Sequence, residues 1–198
     1  MKNIKPRHVV LVLAAAALIF SVYYVFFPHN FLPSEFNDSR LKGAEVAQRI
    51  VQLSRDTLSL LGKVSDYDER RKVSEALNAI SEALNVNRES QIEAIRLSSQ
   101  LAAMAENLPR IQPERARELA TEAVTAEVAL VSRLLYYNNY LHQLFEALRA
   151  KVTRANVDYL DGQVSDLINK INDEAQEINE LNKKFTDKMA EFDEIFGE

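Results

Sequence analysis

From about residue 38 to residue 196, apolar side chains return every three or four positions with almost no interruption. That is the period of a helix face, not of a strand. A chain patterned this way folds into long helices, and the rest of its composition agrees. Turn residues are scarce, with 4 Gly and 5 Pro among 198 residues, whereas a sheet-rich enzyme needs one at most of its turns. The glycines stand far apart, at 43, 62, 162 and 197, so no glycine-rich loop is available to cradle a phosphate. The absence of Cys removes disulfides, thiolate catalysis and cysteine-type zinc sites together.

Four helical segments follow from the spacing. The first opens near Asp38 or Ser39, either a suitable N-cap. It carries Ala47, Ile50, Leu58, Leu61 and Val64 on one stripe and ends with Gly62 and a turn over residues 63–66. The second, about residues 67–108, contains a heptad duplication in plain letters: Val73 then SEALN, and seven residues later Ile80 then SEALN. Val73, Leu77, Ile80 and Leu84 form its seam, continued by Leu97, Leu101, Met104 and Leu108. Asn85, Asn87 and Gln91 weaken the face between them, where a kink or short loop is expected. Pro109 and Pro113 frame a reversal, with Pro113 suited to a first helical position.

The third segment, about residues 113–152, carries Leu119, Ala123, Ala126, Leu130, Leu134, Tyr137, Leu141, Leu144 and Leu148, broadened by Val124, Val131, Leu135 and Phe145. So wide a stripe faces two or more partners. The fourth, about residues 156–196, reads Val157, Leu160, Val164, Leu167, Ile171, Glu174, Ile178, Leu181, Phe185, Lys188, Phe192 and Ile195, the narrow seam of a coiled coil. Its register is one residue off that of the third, so a turn or stutter is expected over residues 153–156. Short connections between long segments favour antiparallel neighbours. The fold class is therefore all-α: one N-terminal transmembrane helix and an elongated antiparallel bundle with coiled-coil-like packing. The first helix is expected to be the short one.

The transmembrane segment is residues 9–27, an uncharged run that as a helix covers about 30 Å of hydrocarbon. It is longer than a secretory h-region of roughly 7 to 15 residues, and apolar residues continue past the small ones at 14–17. Tyr23, Tyr24, Phe26, Phe27, Phe31 and Phe36 suit the headgroup layer. Lys2, Lys5 and Arg7 precede the span, so the positive-inside tendency puts a tip of residues 1–8 in the cytosol and the body outside. The chain then divides into this tip, the span, a juxtamembrane linker over 28–38, a bundle over 39–152 and a long coiled-coil-type helix over 153–198 packing on it. Net charge is −5; without the three basic residues before the span it is 21 − 29 = −8. An acidic body of this kind has no affinity for nucleic acid.

Chemistry-bearing residues are few. His142 is the one histidine of the helical body, and Asn139, not Glu, stands three residues before it, so the paired Glu-x-x-His of a di-iron bundle is missing. The aromatic and polar stretch Tyr136, Tyr137, Asn138, Asn139, Tyr140 has two readings. Tyr137, Asn138 and His142 can line a small-molecule pocket, or Asn138 can fix helix register as a polar group in a seam. No catalytic residue, metal site or cofactor is expected.

Ordered fragments of the chain resemble the LemA family of bacterial membrane proteins over about residues 1–148. Arg55, Asp56 and Leu58 are similar to an Arg-Asp-Leu stretch of that family, though Ser59 and Leu60 replace its Pro-Asn. Glu89, Gln91 and Ile92 resemble its Glu-x-Gln-Leu, and Ala105, Glu106 and Pro109 its Ala-Glu-x-x-Pro turn. Glu127 with Tyr137 and Asn138 looks like the Glu and Tyr-Asn of its last helix. The resemblance implies a membrane-tethered helical bundle without established catalytic residues, in which Tyr137 and Asn138 serve a helix crossing.

The sequence thus points to a single-pass, non-catalytic scaffold of the cell (inner) membrane. It would contact the bilayer through residues 9–27, and other envelope proteins or further copies of itself through helical faces. The alternative is an extracytoplasmic small-molecule sensor or accessory subunit acting through a partner membrane protein.

Overall fold

A computed structural model describes residues 33–153 and 158–197. Among these the chain forms four long helices: α1 (Ser34–Glu69), α2 (Val73–Asn107), α3 (Glu114–Thr153) and α4 (Asp158–Phe196), with a 3₁₀ turn at Leu108–Arg110 between α2 and α3. The span proposed for residues 9–27 and the cytosolic tip lie outside the described residues. Among the described residues, no helix is long and apolar enough to cross a membrane.

The helices run alternately up and down. Arg49 of α1 meets Glu89 of α2 at 3.2 Å, and the side chain of Asn87 in α2 reaches the main chain of Asn138 in α3. Along the α3–α4 seam, Arg115 pairs with Glu191, Arg133 with Glu174 and Lys151 with Asp161, so early residues of one helix meet late residues of the other. α4 therefore folds back along α3 instead of projecting from it. Phe36 at the start of α1 stacks at 5.9 Å on Phe192 near the end of α4, which closes the ring of four at one end.

α1 is longer at both ends than the sequence suggests. It begins at Ser34, so residues 34–38 are helical and not linker, and Ser39 is buried within the helix instead of capping it. Pro33, with its fixed φ, presents its carbonyl to Phe36 and Asn37 at 3.0 and 3.3 Å. Phe36 is fully buried in the bundle, not part of an interfacial belt. At the other end the chain passes through residues 63–66 without turning, and α1 is as long as its neighbours. The turn comes at Arg71, whose φ is 56°. Lys72 N–H donates to the Tyr67 carbonyl at 2.8 Å and Arg71 N–H to that of Asp68 at 3.0 Å, the double closure of a Schellman motif built without glycine.

α2 runs unbroken through Asn85, Asn87 and Gln91; Asn87 is accommodated in the straight helix with its Nδ2 donating to a neighbouring helix and its Oδ1 buried without a hydrogen-bond partner. The core positions of the SEALN repeats are their alanines, Ala76 and Ala83, together with Ala79 and Ile80. Leu77 and Leu84 are only half-buried and Val73 is 47% exposed, because small residues at the contact let α1 and α2 approach closely. In α3 every residue of the main stripe, from Leu119 to Leu148, is buried. Pro113 precedes the helix and accepts from Ala116 N–H at 3.0 Å.

α4 departs from the heptad reading in its second half. Leu160, Val164, Leu167, Ile171, Ile178, Phe185 and Phe192 are buried as the spacing predicts, but Ala175, Asn182, Met189 and Phe196 take the seam places expected of Glu174, Leu181, Lys188 and Ile195. A straight helix drifts about 20° per heptad against a 3.5-residue repeat, and every second position of the apolar line slips by one residue. Glu174 and Lys188 consequently flank the seam, pairing with Arg133 at 3.5 Å and with Glu122 at 3.4 Å. Ile195 is on the surface.

Candidate functional site

The polar residues singled out by sequence occupy three different surroundings. Tyr137, on the core side of α3, is buried and hydrogen-bonded to Ser54 of α1. Burial pushes its hydroxyl up to about 12 against the pull of that bond. Asn138, the next residue, turns toward α2. There Asn87 Nδ2 donates to the Asn138 main-chain carbonyl at 2.8 Å, and both residues are almost fully buried. His142, one turn on, is exposed. The seam contact expected of Asn138 is made through its backbone, while its own Nδ2 is buried with no hydrogen-bond partner.

Glu127 stands eleven residues before Asn138, about 16 Å along the helix. It falls between Ala123 and Leu130 on the apolar stripe and is 4% exposed. Its Oε2 has no hydrogen-bond partner, and burial lifts the carboxyl to about 7. A carboxyl in such surroundings holds its proton up to about pH 7, since removing charge from water costs more than removing a neutral acid.

A third polar contact lies near the end where α1 begins. Arg40 grips Asp193 through two bonds, Nη1 to Oδ1 at 2.9 Å and Nη2 to Oδ2 at 2.7 Å, beside Phe36, Phe192 and Phe196. Burial lowers Arg40 to about 10, with Asp193 pulling it up. Burial likewise lifts Asp193 to about 6, with Arg40 pulling it down.

The residues that carry the LemA likeness are spread along the bundle. Leu58 is buried. Asp56 accepts from Gln52 Nε2 at 2.9 Å one turn earlier, and Arg55 is on the surface. Glu106 is exposed near the end of α2, and Pro109 lies in the 3₁₀ turn that follows. Among the described residues, no group of three or more His, Asp and Glu is placed to hold a metal ion.

Sequence reasoning passed over Asn182, Arg40 and Asp193. Asn182 was hidden by the one-residue slip of the α4 seam. Arg40 and Asp193 are 153 positions apart, and no local pattern links them. Glu127 did carry a signal, since it sits four after Ala123 and three before Leu130, inside the stripe. Comparisons with known protein families, with curated proteins and with solved structures find no match to the chain.

Proposed function

We propose that the chain is a membrane-anchored, non-catalytic helical scaffold, held by residues 9–27 with its N-terminus cytosolic and its bundle outside the cell membrane. The observation that carries this reading is where the distinctive polar residues go. Tyr137, Asn87, Arg40 and Asp193 each bond across from one helix to another, so they hold the bundle together and leave its charge-mixed faces for neighbours. The uncharged run at 9–27 supports the anchor, and the LemA likeness agrees with a tethered bundle.

Two experiments on the full chain in native membranes test it. Alkaline carbonate washing should leave the chain in the membrane pellet; release into the wash overturns the anchor. Protease added to intact cells should digest the body, whereas digestion only after lysis reverses the orientation. Crosslinking should then capture protein neighbours or further copies of the chain. A body that captures none is no scaffold.

A further inference from the structure

The seams between neighbouring helices are not alike. Among the described residues, α1 packs most extensively on α2, and α4 on α3; α2 meets α3 over a smaller contact, and α1 and α4 hardly bring their backbones together. Small residues draw the hairpins tight, as at Gly43 of α1, where even a Cβ would stand 3.7 Å from Leu97 and Gln100 of α2. The α1–α4 edge is instead spanned by long side chains. Arg40 reaches Asp193, and Phe36 reaches Phe192, with Phe196 at 5.0 Å from Phe192.

The chemistry along that edge is mismatched. Steps of seven back from Asp193 give Thr186, Asn179 and Asn172, so the side of α4 turned to α1 carries a polar stripe. Leu58 stands five full turns after Arg40 on the same side of α1, with Val51 two turns before it, and both are buried. Counting up both helices from the bond between Arg40 and Asp193, Leu58 reaches the height of Ala175, between Asn172 and Asn179. The amides there meet an apolar neighbour, and the Oδ1 atoms of Asn172 and Asn179 are buried with no hydrogen-bond partner. A buried acceptor without a donor is unfavourable, and water entering a parted edge relieves it.

We propose that the bundle opens like a book: the α1–α2 and α3–α4 hairpins are its covers, the α2–α3 contact its spine, and the contacts of Arg40 with Asp193 and of Phe36 with Phe192 the clasp on the α1–α4 edge. The spine is held by the bond from Asn87 to the Asn138 main chain and by Arg149 on Ser81 at 3.3 Å. The connection through residues 108–113 joins the two covers at one end. A polar boundary between two tightly packed units is a natural line of relative motion. Closed, the body shows its charge-mixed outer faces. Open, it offers a cleft lined by Val51, Leu58 and the asparagines of α4, so the clasp decides which surface a neighbour meets.

Thiol labelling reads the opening directly, because the chain has no native cysteine. Ala175, five full turns before Asp193 on the α1 side of α4, is 2% exposed. Ala79, five full turns before Leu97 on the α1 side of α2, is 5% exposed. In the full chain in mild detergent without denaturant, Ala175→Cys should react with a maleimide about tenfold or more faster than Ala79→Cys. Equal rates, or a faster Ala79→Cys, would mean that both thiols are reached only by global unfolding and would overturn the proposal. Spin labels give the geometry. In an Asp193→Ala background, the distance between labels at Gln48→Cys of α1 and Lys184→Cys of α4 should lengthen and spread relative to the chain with Asp193. That between Glu118→Cys of α3 and Lys184→Cys should stay fixed; all three sites are exposed. Unchanged distances across the α1–α4 edge, or equal spreading within the α3–α4 hairpin, would also overturn it. If Asp193→Ala does not fold, the ratio of labelling rates in the chain with Asp193 still decides.

Discussion

Arg40 and Asp193 join the second turn of α1 to the last turn of α4 through two parallel hydrogen bonds, at 2.9 and 2.7 Å. The guanidinium is 6% exposed and the carboxylate 28%, so the pair is paid for in desolvation and repaid by geometry. It stands beside the stacked Phe36 and Phe192, and together they fasten the seam between the first and last helices.

Asp193→Ala leaves Arg40 buried without this carboxylate and should cost about 3 kcal/mol of stability. Replacing both residues by apolar ones of similar size, as in Arg40→Met with Asp193→Leu, should recover most of that loss. Chemical unfolding of the full chain in mild detergent measures both. A double variant no better than Asp193→Ala would mean that Arg40 depends on its other contacts more than on this partner.

Glu127 makes stability depend on pH. Its folded value of about 7 lies above its ordinary value of 4.5, so the folded chain binds a proton that the unfolded chain releases. Stability therefore falls as pH rises from about 4.5 to 7, and above that carries a penalty of about 3 kcal/mol. Glu127→Gln should be nearly neutral at pH 4.5 and stabilising at pH 8, a difference read from unfolding curves at the two pH values. Equal effects at both would show that the carboxyl does not titrate in this range.

Asn87→Ala removes the donor to the buried Asn138 carbonyl and should destabilise by about 1 to 2 kcal/mol. Asn138→Ala keeps that carbonyl, deletes an amide nitrogen with no partner, and should cost less. Thermal melts of the two variants side by side decide the order; the reverse order would make the Asn138 side chain the group that matters.

Glycine is spent where a helix does not want it and withheld where a turn does. Gly62 lies within α1 with nothing within 4 Å of an added Cβ, so Gly62→Ala should stabilise by about 0.5 to 1 kcal/mol. Arg71 has φ 56°, and Arg71→Gly should stabilise by about 1 kcal/mol by relieving the left-handed backbone. The sites are nine residues apart on one helix and its turn, and the gains should add. Urea midpoints of the two single variants and the double variant test this.

These two positions also mark the limit of what the letters convey. Periodicity alone yields α3 almost residue by residue, because a helix packed on two sides repeats its demand for apolar side chains at every turn. The end of α1 was not legible. A Gly followed by Lys63, Ser65 and Asp66 has the chemistry of a turn, yet exposed helix tolerates these residues, and the real turn uses an Arg with no local signature. Beyond Ile171 the α4 seam was legible at Ile178, Phe185 and Phe192, but the alternate positions slipped by one residue, since a fixed heptad cannot register slow helical drift, and Asn182 was lost with them. Leu77 and Leu84 drew the eye away from Ala76 and Ala83, because hydrophobicity says which residues can be buried and not how closely two backbones come. Of the polar candidates, Tyr137 and Asn138 were visible as odd letters in an apolar stripe. What each one touches depended on neighbours 51 and more residues away.

Alternation of four helices has a mechanical consequence. Pro33 and Gly197 lie at the same end, and the Arg71 turn lies about 54 Å away along α1. For a chain held at that end, the bundle is a stiff mast. A tilt of about 10° at the base sweeps the far turn through roughly 9 Å, so small motions at the root become displacements at the tip comparable to the width of a helix.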